Sequence, residues 1–387
     1  MELFSSTTKF DFVGKSRGFI IFSALSILAS FGLIFGKGLN FGIEFAGGTE
    51  ALVSFTGPTS LDDVRAVCDG IGLDQAELVR YGITDEGRYF VRSRTRSLLS
   101  PAEVDKVRAS IVAKHGEPSM WDASDETGEE IRVRFEGAKT ADELKTAALE
   151  SGITGIEVSA QSGGSRPVFL MRMPSIRSRL TDSLKAKFGD SFKSVERLES
   201  VGSAVGEQMR NQGILALIYA ILGILLYVTF RFDMRFGPGA ILALFHDVVV
   251  TAGCFALFGW EFNLQIVAAL LAILGYSVND TVVIYDRIRE VIRDTTGVAI
   301  ADVVNLSINQ TLSRTMITSG VTLISVLALL FVGGEITRGF AIAMTIGVIA
   351  GSYSTIFIAS PLTIYLDKYF GKEEAASTQV STAVSRP

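Results

Sequence analysis

Long apolar runs alternate with polar stretches along this chain, and their spacing is uneven. One run covers residues 19–36, a mixed region fills 37–212, and more runs follow between 213 and 366. Each run is close to the ~20 residues that an α-helix needs to cross a bilayer. The pattern predicts a polytopic α-helical membrane protein with six transmembrane helices, over residues 19–36, 213–230, 238–258, 264–285, 315–332 and 340–366.

The first apolar run has two interpretations, a cleaved signal peptide or a retained transmembrane helix. Basic residues precede it (Lys9, Lys15 and Arg17), as they do in both cases. The run is longer than a signal core, and no small-residue cleavage motif of the A-x-A type follows it. We therefore expect an uncleaved first helix at 19–36, after a cytosolic N-terminus at 1–18.

The region 37–212 has the short periods of an α+β domain. Alternation in Glu50–Phe55 and Arg88–Arg92 indicates strands, and helical spacing indicates helices at 61–68 and 104–112. The pattern recurs after about 80 residues, which favours two small α+β units over a solenoid, with repeats at about 50–116 and 130–200. The recurring positions are Phe55, Val64, Gly72 and Arg92, then Phe135, Leu144, Gly152 and Arg172.

Charge placement predicts the orientation in the membrane. Most of the 36 basic and 41 acidic residues lie in the region 37–212. Lysines and arginines in short loops are enriched on the cytosolic side of a membrane. All but one of the basic residues in the short loops fall on the same side, and Arg338 is the exception. Both termini are therefore predicted to be cytosolic, and the α+β domain periplasmic if the organism is a bacterium. The cytosolic set is Lys9, Lys15, Arg17, Arg231, Arg235, Arg287, Arg289, Arg293, Lys368 and Lys372.

Two further segments are assigned from their composition. Residues 287–313 combine apolar positions at helical spacing with Asp302 and Asn305, which predicts a cytosolic amphipathic helix that connects two spans. Residues 367–387 are small and polar, so we expect a disordered cytosolic tail.

Several functional classes find no support in the sequence. Cys68 and Cys254 cannot form a disulfide framework, and His115 and His246 lack the companions of a metal site. The pair Gly47-Gly48 has no Lys-Ser/Thr after it, so a tight turn is favoured over a phosphate cradle. The net charge is −5, which argues against nucleic acid. No enzyme, cofactor or metal is expected.

Asp280 is the first candidate functional residue. A carboxylate inside a bilayer helix costs roughly 2.5–3.5 kcal/mol at the centre, which makes it a functional-site hypothesis. Five residues separate it from the charged cluster at Asp286–Glu290, a depth of about 8 Å at ~1.5 Å per residue. The alternative is a tolerated helix-end residue that reaches water.

Three more ionisable residues fall in apolar runs. His246 and Asp247 lie in the third run, where Asp247 is near the bilayer middle. Arg314 begins the fifth run, and its side chain could instead extend to the cytosolic surface. Burial disfavours the charged form of a carboxyl group and a nearby arginine favours it, so a small rearrangement can load or release a proton. We therefore predict a proton relay that uses Asp280, Arg314 and Asp247.

Small residues at four-residue spacing predict close helix packing. They form one stripe in the fourth span and one in the sixth. The stripes are Ala268, Ala272, Gly275 and Asn279, and Ala343, Gly347 and Gly351.

Five stretches together resemble the SecD/SecF family of bacterial protein-export subunits, half-sized relatives of the resistance–nodulation–division transporters. They extend over most of Leu39–Thr315. The stretches are LNFGIEFAGGT (39–49), ESVGSAVG (199–206), ALFHD (243–247), GYSVNDTVVIYDRIRE (275–290) and SINQTLSRT (307–315).

The resemblance implies an auxiliary subunit of the Sec translocase in the bacterial inner membrane. It implies pairing with SecD beside the SecYEG channel, association with YajC and YidC, and use of the proton gradient to help pull unfolded preproteins outward. The relay would use Asp280 and Arg314, facing a carboxylate of SecD. Family members usually carry one ferredoxin-like unit, whereas this sequence predicts two. An efflux transporter that forms homodimers and a scaffold with an inert Asp280 remain open as alternatives.

Overall fold

The computed structural model describes residues 9–73, 76–81, 87–95, 101–123, 130–153, 155–161, 167–232, 234–295 and 297–368. It divides into two compact units. One is formed by Met1–Gly42 with Arg210–Pro387, and the other by Ile43–Met209. The tail predicted to be disordered at 367–387 lies outside the described residues from residue 369 onward.

Helix α1 (Phe12–Gly36) begins seven residues before the apolar run that predicted it. Asp11 caps the helix, because its carboxylate accepts a hydrogen bond from the Gly14 N–H at 2.7 Å. A two-residue strand, β1 (Asn40–Phe41), follows the helix. The helix therefore includes polar residues before the membrane run as well as the run itself.

The unit Ile43–Met209 is the predicted α+β domain. Its elements are α2 (Ile43–Ala46), β2 (Gly48–Phe55), α3 (Leu61–Gly70), β3 (Glu77–Arg80), β4 (Arg88–Ser93), α4 (Pro101–His115), β5 (Met120–Asp122), β6 (Glu130–Arg134), α5 (Ala141–Leu149), β7 (Glu157–Gln161), β8 (Val168–Arg172), α6 (Ile176–Phe188) and β9 (Phe192–Val201). The strands form two antiparallel four-stranded sheets, in the orders β3-β4-β2-β9 and β5-β6-β8-β7. Two helices cover one face of each sheet, which gives two ferredoxin-like units and confirms the predicted fold class.

The two closing helices are exchanged between the sequence repeats. In α6, Leu180 and Leu184 are buried in the core of the first sheet with Val53. In α4, Val107 and Ile111 are buried in the core of the second sheet. The packed units therefore differ from the repeats 50–116 and 130–200. The second unit, α4 to β8, is inserted between β4 and α6 of the first, because an apolar helix face needs a sheet but does not specify which one.

Five long helices follow, and the structure contains six helices in its described part that are long and apolar enough to cross a membrane. The elements are α7 (Ser203–Arg231), α8 (Gly237–Phe258), β10 (Glu261–Phe262), α9 (Leu264–Asp294), α10 (Ile300–Val332) and α11 (Glu335–Ser354). Half or more of the apolar stretch is buried in three of the helices, α8, α9 and α11, against 11% in α1 and α7. Those three helices therefore form the centre of the bundle.

Residues 287–313 do not form a separate amphipathic helix, contrary to the sequence prediction. Helix α9 continues to Asp294, and α10 begins at Ile300 and continues to Val332. Beyond the apolar runs, Val304 and Ile308 of α10 pack in one buried cluster with Ile288 of α9. The helices continue because their apolar side chains still have protein neighbours where the membrane-like composition ends.

Candidate functional site in the helix bundle

Asp247 lies in the middle of α8 and is fully buried. Its Oδ2 accepts hydrogen bonds from Ser277 Oγ of α9 at 2.7 Å and from Ser354 Oγ of α11 at 3.0 Å. Its Oδ1 lies 3.0 Å from Nδ1 of His246. Because a buried carboxyl group needs hydrogen-bond partners, these contacts make Asp247 a junction of three helices.

Glycines on α11 allow this helix to pack closely against α9 near Asp247. A Cβ atom added to Gly347 would lie 2.2 Å from Cδ1 of Ile273, and one added to Gly351 would lie 3.1 Å from Cβ of Ser277. The predicted small-residue stripe of α11 is therefore a tight contact with α9. One residue beyond Ser354, the backbone widens into a π-helical turn, Thr355–Ala359. Such turns occur often at functional sites.

Asp280 lies on α9 and is 3% exposed. Two hydroxyl groups of α10 contact its carboxyl group. Thr318 Oγ1 donates to Oδ1 at 3.3 Å, and Ser319 Oγ lies 3.5 Å from Oδ2. Neutral hydroxyl donors stabilise both the charged and the protonated form of a carboxyl group, so this environment is compatible with a group that changes its protonation state.

Arg314 lies on α10 and is exposed. It contributes an attractive electrostatic interaction to Asp280. Among the described residues, however, no ion pair within 4.0 Å joins the two side chains. The structure therefore brings Asp280 and Arg314 to adjacent helices and leaves the guanidinium free of the bundle interior. Asp247 contacts α9 through Ser277 rather than through Asp280.

The hydroxyl groups that hold the carboxylates were not predicted from the sequence. Tyr276 OH donates to Ser319 Oγ at 2.7 Å, and Ser319 Oγ lies 2.7 Å from Ser352 Oγ. One turn along, Thr281 Oγ1 lies 3.0 Å from Thr355 Oγ1. A usable signal was present, because these hydroxyl residues interrupt apolar runs within five residues of Asp280, Arg314 or Ser354.

No other helix in the described part of the chain covers the predicted stripe on α9. Its four members, Ala268, Ala272, Gly275 and Asn279, are all exposed. A Cβ atom added to Gly275 would meet nothing within 4 Å. The side of α9 that contacts α11 carries Ile273 and Ser277 instead. The small-residue pattern therefore marks an open face of α9 beside Asp280.

In the α+β domain, Gly47 and Gly48 form the predicted turn between α2 and β2. Both have positive φ angles, 72° and 134°, which favour glycine. A Cβ atom on Gly48 would lie 2.5 Å from the Ser93 carbonyl oxygen. One on Gly206 would lie 3.1 Å from the Gly47 backbone nitrogen. Two of the quoted stretches, 39–49 and 199–206, therefore meet at this turn.

Comparison with known proteins identifies the family. The SecD/SecF GG motif matches residues 32–59, and the C-terminal region of the protein export membrane proteins SecD/SecF matches residues 181–369. The chain is 34% identical to the protein translocase subunit SecF of Koribacter versatilis, over 97% of this chain and 96% of that one. It is 41% identical to the protein translocase subunit SecDF of Thermus thermophilus, over 61% of this chain and 33% of that one.

A solved structure shares the fold. The crystal structure of Thermus thermophilus SecDF, a translocon-associated membrane protein, superposes with a TM-score of 0.62 at 27% identity. The match covers 95% of this chain and 40% of the SecDF chain, so this chain spans less than half of that protein. The near full-length match to SecF and the two motif regions show that the chain is a multi-pass membrane protein of the SecD/SecF family of protein-export subunits.

Proposed function

We propose that this chain is an auxiliary, non-enzymatic subunit of the Sec translocase that uses the proton gradient to complete export of unfolded preproteins. The observation that carries the proposal is the environment of Asp280. Its carboxyl group is buried in a membrane helix, is contacted by neutral hydroxyl groups, and has the Arg314 cation on the next helix. A carboxyl group in that setting can take up a proton, become neutral and release it when the arginine approaches.

Proton movement down the membrane potential supplies energy that can drive a conformational change when it is repeated. One elementary charge that crosses the membrane is worth about 2.3 kcal/mol per 100 mV. Repeated loading and release at Asp280 would bias the packing of α9 against α10. Asp247, held by hydroxyl groups of α9 and α11, is proposed as the second carboxyl group of the relay.

SecD is the proposed partner in the membrane. The open stripe of α9 lies beside Asp280, and α7 exposes large apolar side chains such as Tyr219 and Phe230. A related six-span subunit would cover these surfaces and could present a carboxylate to Arg314. The matched Thermus thermophilus chain bears both names, SecDF, which supports this pairing. We extend the proposal to SecYEG, and to YajC and YidC, as neighbours of the complex.

We propose the bacterial inner membrane as the location, with both termini in the cytosol and the α+β domain in the periplasm. The asymmetry of basic residues in the short loops supports this orientation. A cysteine at exposed Asp294 should then react only from the cytosol and one at exposed Lys145 only from outside, both in a Cys254→Ser background. Labelling of both from one side would exclude the six-span orientation.

Preprotein translocation into inverted vesicles, with and without a protonophore, tests the relay. Asp280→Asn should assemble normally, because asparagine keeps the volume of the protonated acid, and should lose the protonophore-sensitive part of export while ATP-driven export remains. Asp286→Asn is the matched control, since Asp286 is an exposed carboxylate on the same helix. Full protonophore sensitivity in Asp280→Asn would overturn the proposal.

A further inference from the structure

Ser319 is the point at which three membrane helices share one hydroxyl group. It lies on α10 and is 9% exposed. Its Oγ accepts from Tyr276 OH of α9 at 2.7 Å, lies 2.7 Å from Ser352 Oγ of α11, and lies 3.5 Å from Asp280 Oδ2. The side chain therefore contacts the relay carboxyl group and the neighbouring helix at once.

The single hydrogen of the Ser319 hydroxyl group can go to only one of two acceptors. A serine hydroxyl has one hydrogen to donate and two lone pairs to accept with. Tyr276 occupies one lone pair, so Ser319 can donate either to Asp280 or to Ser352. Ser352 in turn has the Val348 carbonyl oxygen as an acceptor at 2.8 Å.

The charge state of Asp280 decides between the two arrangements. An ionised carboxylate can only accept, so Ser319 donates to it, and the 2.7 Å contact between Ser319 Oγ and Ser352 Oγ then takes its hydrogen from Ser352. A protonated carboxyl group donates to Ser319, whose hydrogen then turns to Ser352, and Ser352 donates to the Val348 carbonyl. The direction of the hydrogen bonds from α9 to α11 therefore follows the proton on Asp280.

We propose that Ser319 and Ser352 are positioning residues that transmit the protonation state of Asp280 from α9 to α11 by reversing this hydrogen-bond chain. The inference rests on the proposed function and adds a route to it. Ser352 lies two residues before Ser354, which holds Asp247, and three before the π-helical turn. A change at Asp280 thus reaches the helix that carries a partner of the second carboxyl group.

Ionisable groups on α9 and α10 interact with Asp280 in the described part of the chain. Tyr276 on its own helix and Arg314 on α10 interact with it electrostatically. From α11 the contact is the neutral Ser352, through Ser319, and on α8 the carboxyl group of Asp247 is directed to Ser277 and Ser354. Among the described residues, the hydroxyl groups of Ser319 and Ser352 therefore connect Asp280 to α11.

Infrared difference spectra between low and high pH test this hydrogen-bond chain directly. They are recorded on the full-length protein together with SecD, its proposed membrane partner. The carbonyl stretch of protonated Asp280 is the band that Asp280→Asn removes. Ser319→Ala should shift that band to higher frequency, because the carboxyl group loses its acceptor. Ser352→Ala should also shift the band, by a smaller amount, even though Ser352 reaches Asp280 only through Ser319. Ser325→Ala, on an exposed hydroxyl of α10, is the control and should not shift it.

Vesicle export provides the second readout. Ser319→Ala and Ser352→Ala should each lower the protonophore-sensitive component on the order of threefold, the effect of one lost hydrogen bond, and Ser319→Thr should restore it. An Asp280 band that neither alanine variant moves would overturn this inference and leave the proposed function intact. The absence of any band that Asp280→Asn removes would instead overturn the relay itself, and the transmission with it.

Discussion

The side-chain amide of Asn305 on α10 caps the first turn of α1, although 293 residues separate it from Phe12. Asn305 Oδ1 accepts hydrogen bonds from the N–H groups of Phe12 at 2.9 Å and Val13 at 3.3 Å. One turn further, Asn309 Oδ1 accepts from the Phe10 N–H at 2.9 Å. Since the first N–H groups of a helix have no partner within it, Asn305 completes the cap that Asp11 begins, and Asn309 holds the residue before Asp11.

Replacement of Asn305 by alanine should therefore loosen the start of α1. Loss of a capping side chain costs about 1 kcal/mol, so the amides of Phe12 and Val13 should exchange with solvent on the order of fivefold faster. Hydrogen exchange of the intact protein, followed by mass spectrometry, measures this. Asn263→Ala provides the reciprocal control, because Asn263 caps α9 and its loss should speed exchange there and leave α1 unchanged.

The contact between α1 and α8 should tolerate no side chain at Gly253. A Cβ atom there would lie 2.2 Å from Ser30 Oγ and 2.9 Å from Ser30 Cα, so the helix backbones must separate. Gly253→Ala should lower stability by roughly 1–3 kcal/mol, visible as a lower melting temperature in detergent. Gly223→Ala is the matched change on α7, where nothing lies within 4 Å, and should melt at or above the wild-type temperature. Equal melting of the two variants would contradict the packing.

The helix exchange in the α+β domain predicts which cysteine pairs will cross-link. Lys187 of α6 forms an ion pair with Asp63 of α3 at 3.6 Å, and Lys114 of α4 pairs with Glu150, the residue that follows α5. Cysteines at 187 with 63, and at 114 with 150, should be joined by a short bismaleimide, because an ion pair brings the side-chain tips together without the Cα spacing of about 4–7 Å that a disulfide needs. The crossed pair, 114 with 63, belongs to one sequence repeat and should stay unlinked. Cross-linking of that crossed pair in preference to the other two would show that each closing helix stays with its own repeat.

Glu44 should make the α+β domain less stable as the pH rises. Burial raises the pKa of Glu44 above its ordinary value of 4.5, and the carboxylates of Glu50 and Glu199 add to the effect. The folded state therefore holds the proton more tightly than the unfolded state. The resulting stability is complete below pH 4.5 and is lost as the pH rises through the raised folded value.

Glu44→Gln keeps the neutral form at every pH. It should protect the β2 amides more than wild type does at about pH 7.5, and the difference should vanish near pH 4.5 once intrinsic exchange rates are corrected. Glu157→Gln, at an exposed position on β7, is the control and should match wild type throughout. Protection that is equal at both pH values would show that ionised Glu44 carries no such penalty.

Much of the architecture could be predicted because each signal is local. A helix that crosses a bilayer needs about twenty apolar residues, so the six spans are visible as runs. Strand alternation and helix periodicity in 37–212 likewise revealed two α+β repeats. Asp247, Asp280 and Arg314 were conspicuous because ionisable residues are rare in such runs. The amphipathic connector was misassigned, since composition marks the end of the membrane and not the end of a helix.

The sequence by itself determined the number of spans, the two sheets and the three ionisable positions. The tertiary structure decided which surfaces meet: the exchange of α4 and α6, the hydroxyl partners of Asp247 and Asp280, and the open stripe of α9. The physical reason is that an apolar surface is stabilised by any apolar neighbour. Lipid, the other β-sheet of the domain and a partner subunit can each provide one. Hydroxyl groups are tolerated in many helix positions, so only the packing of α9, α10 and α11 shows that Ser319 joins Asp280 to Ser352.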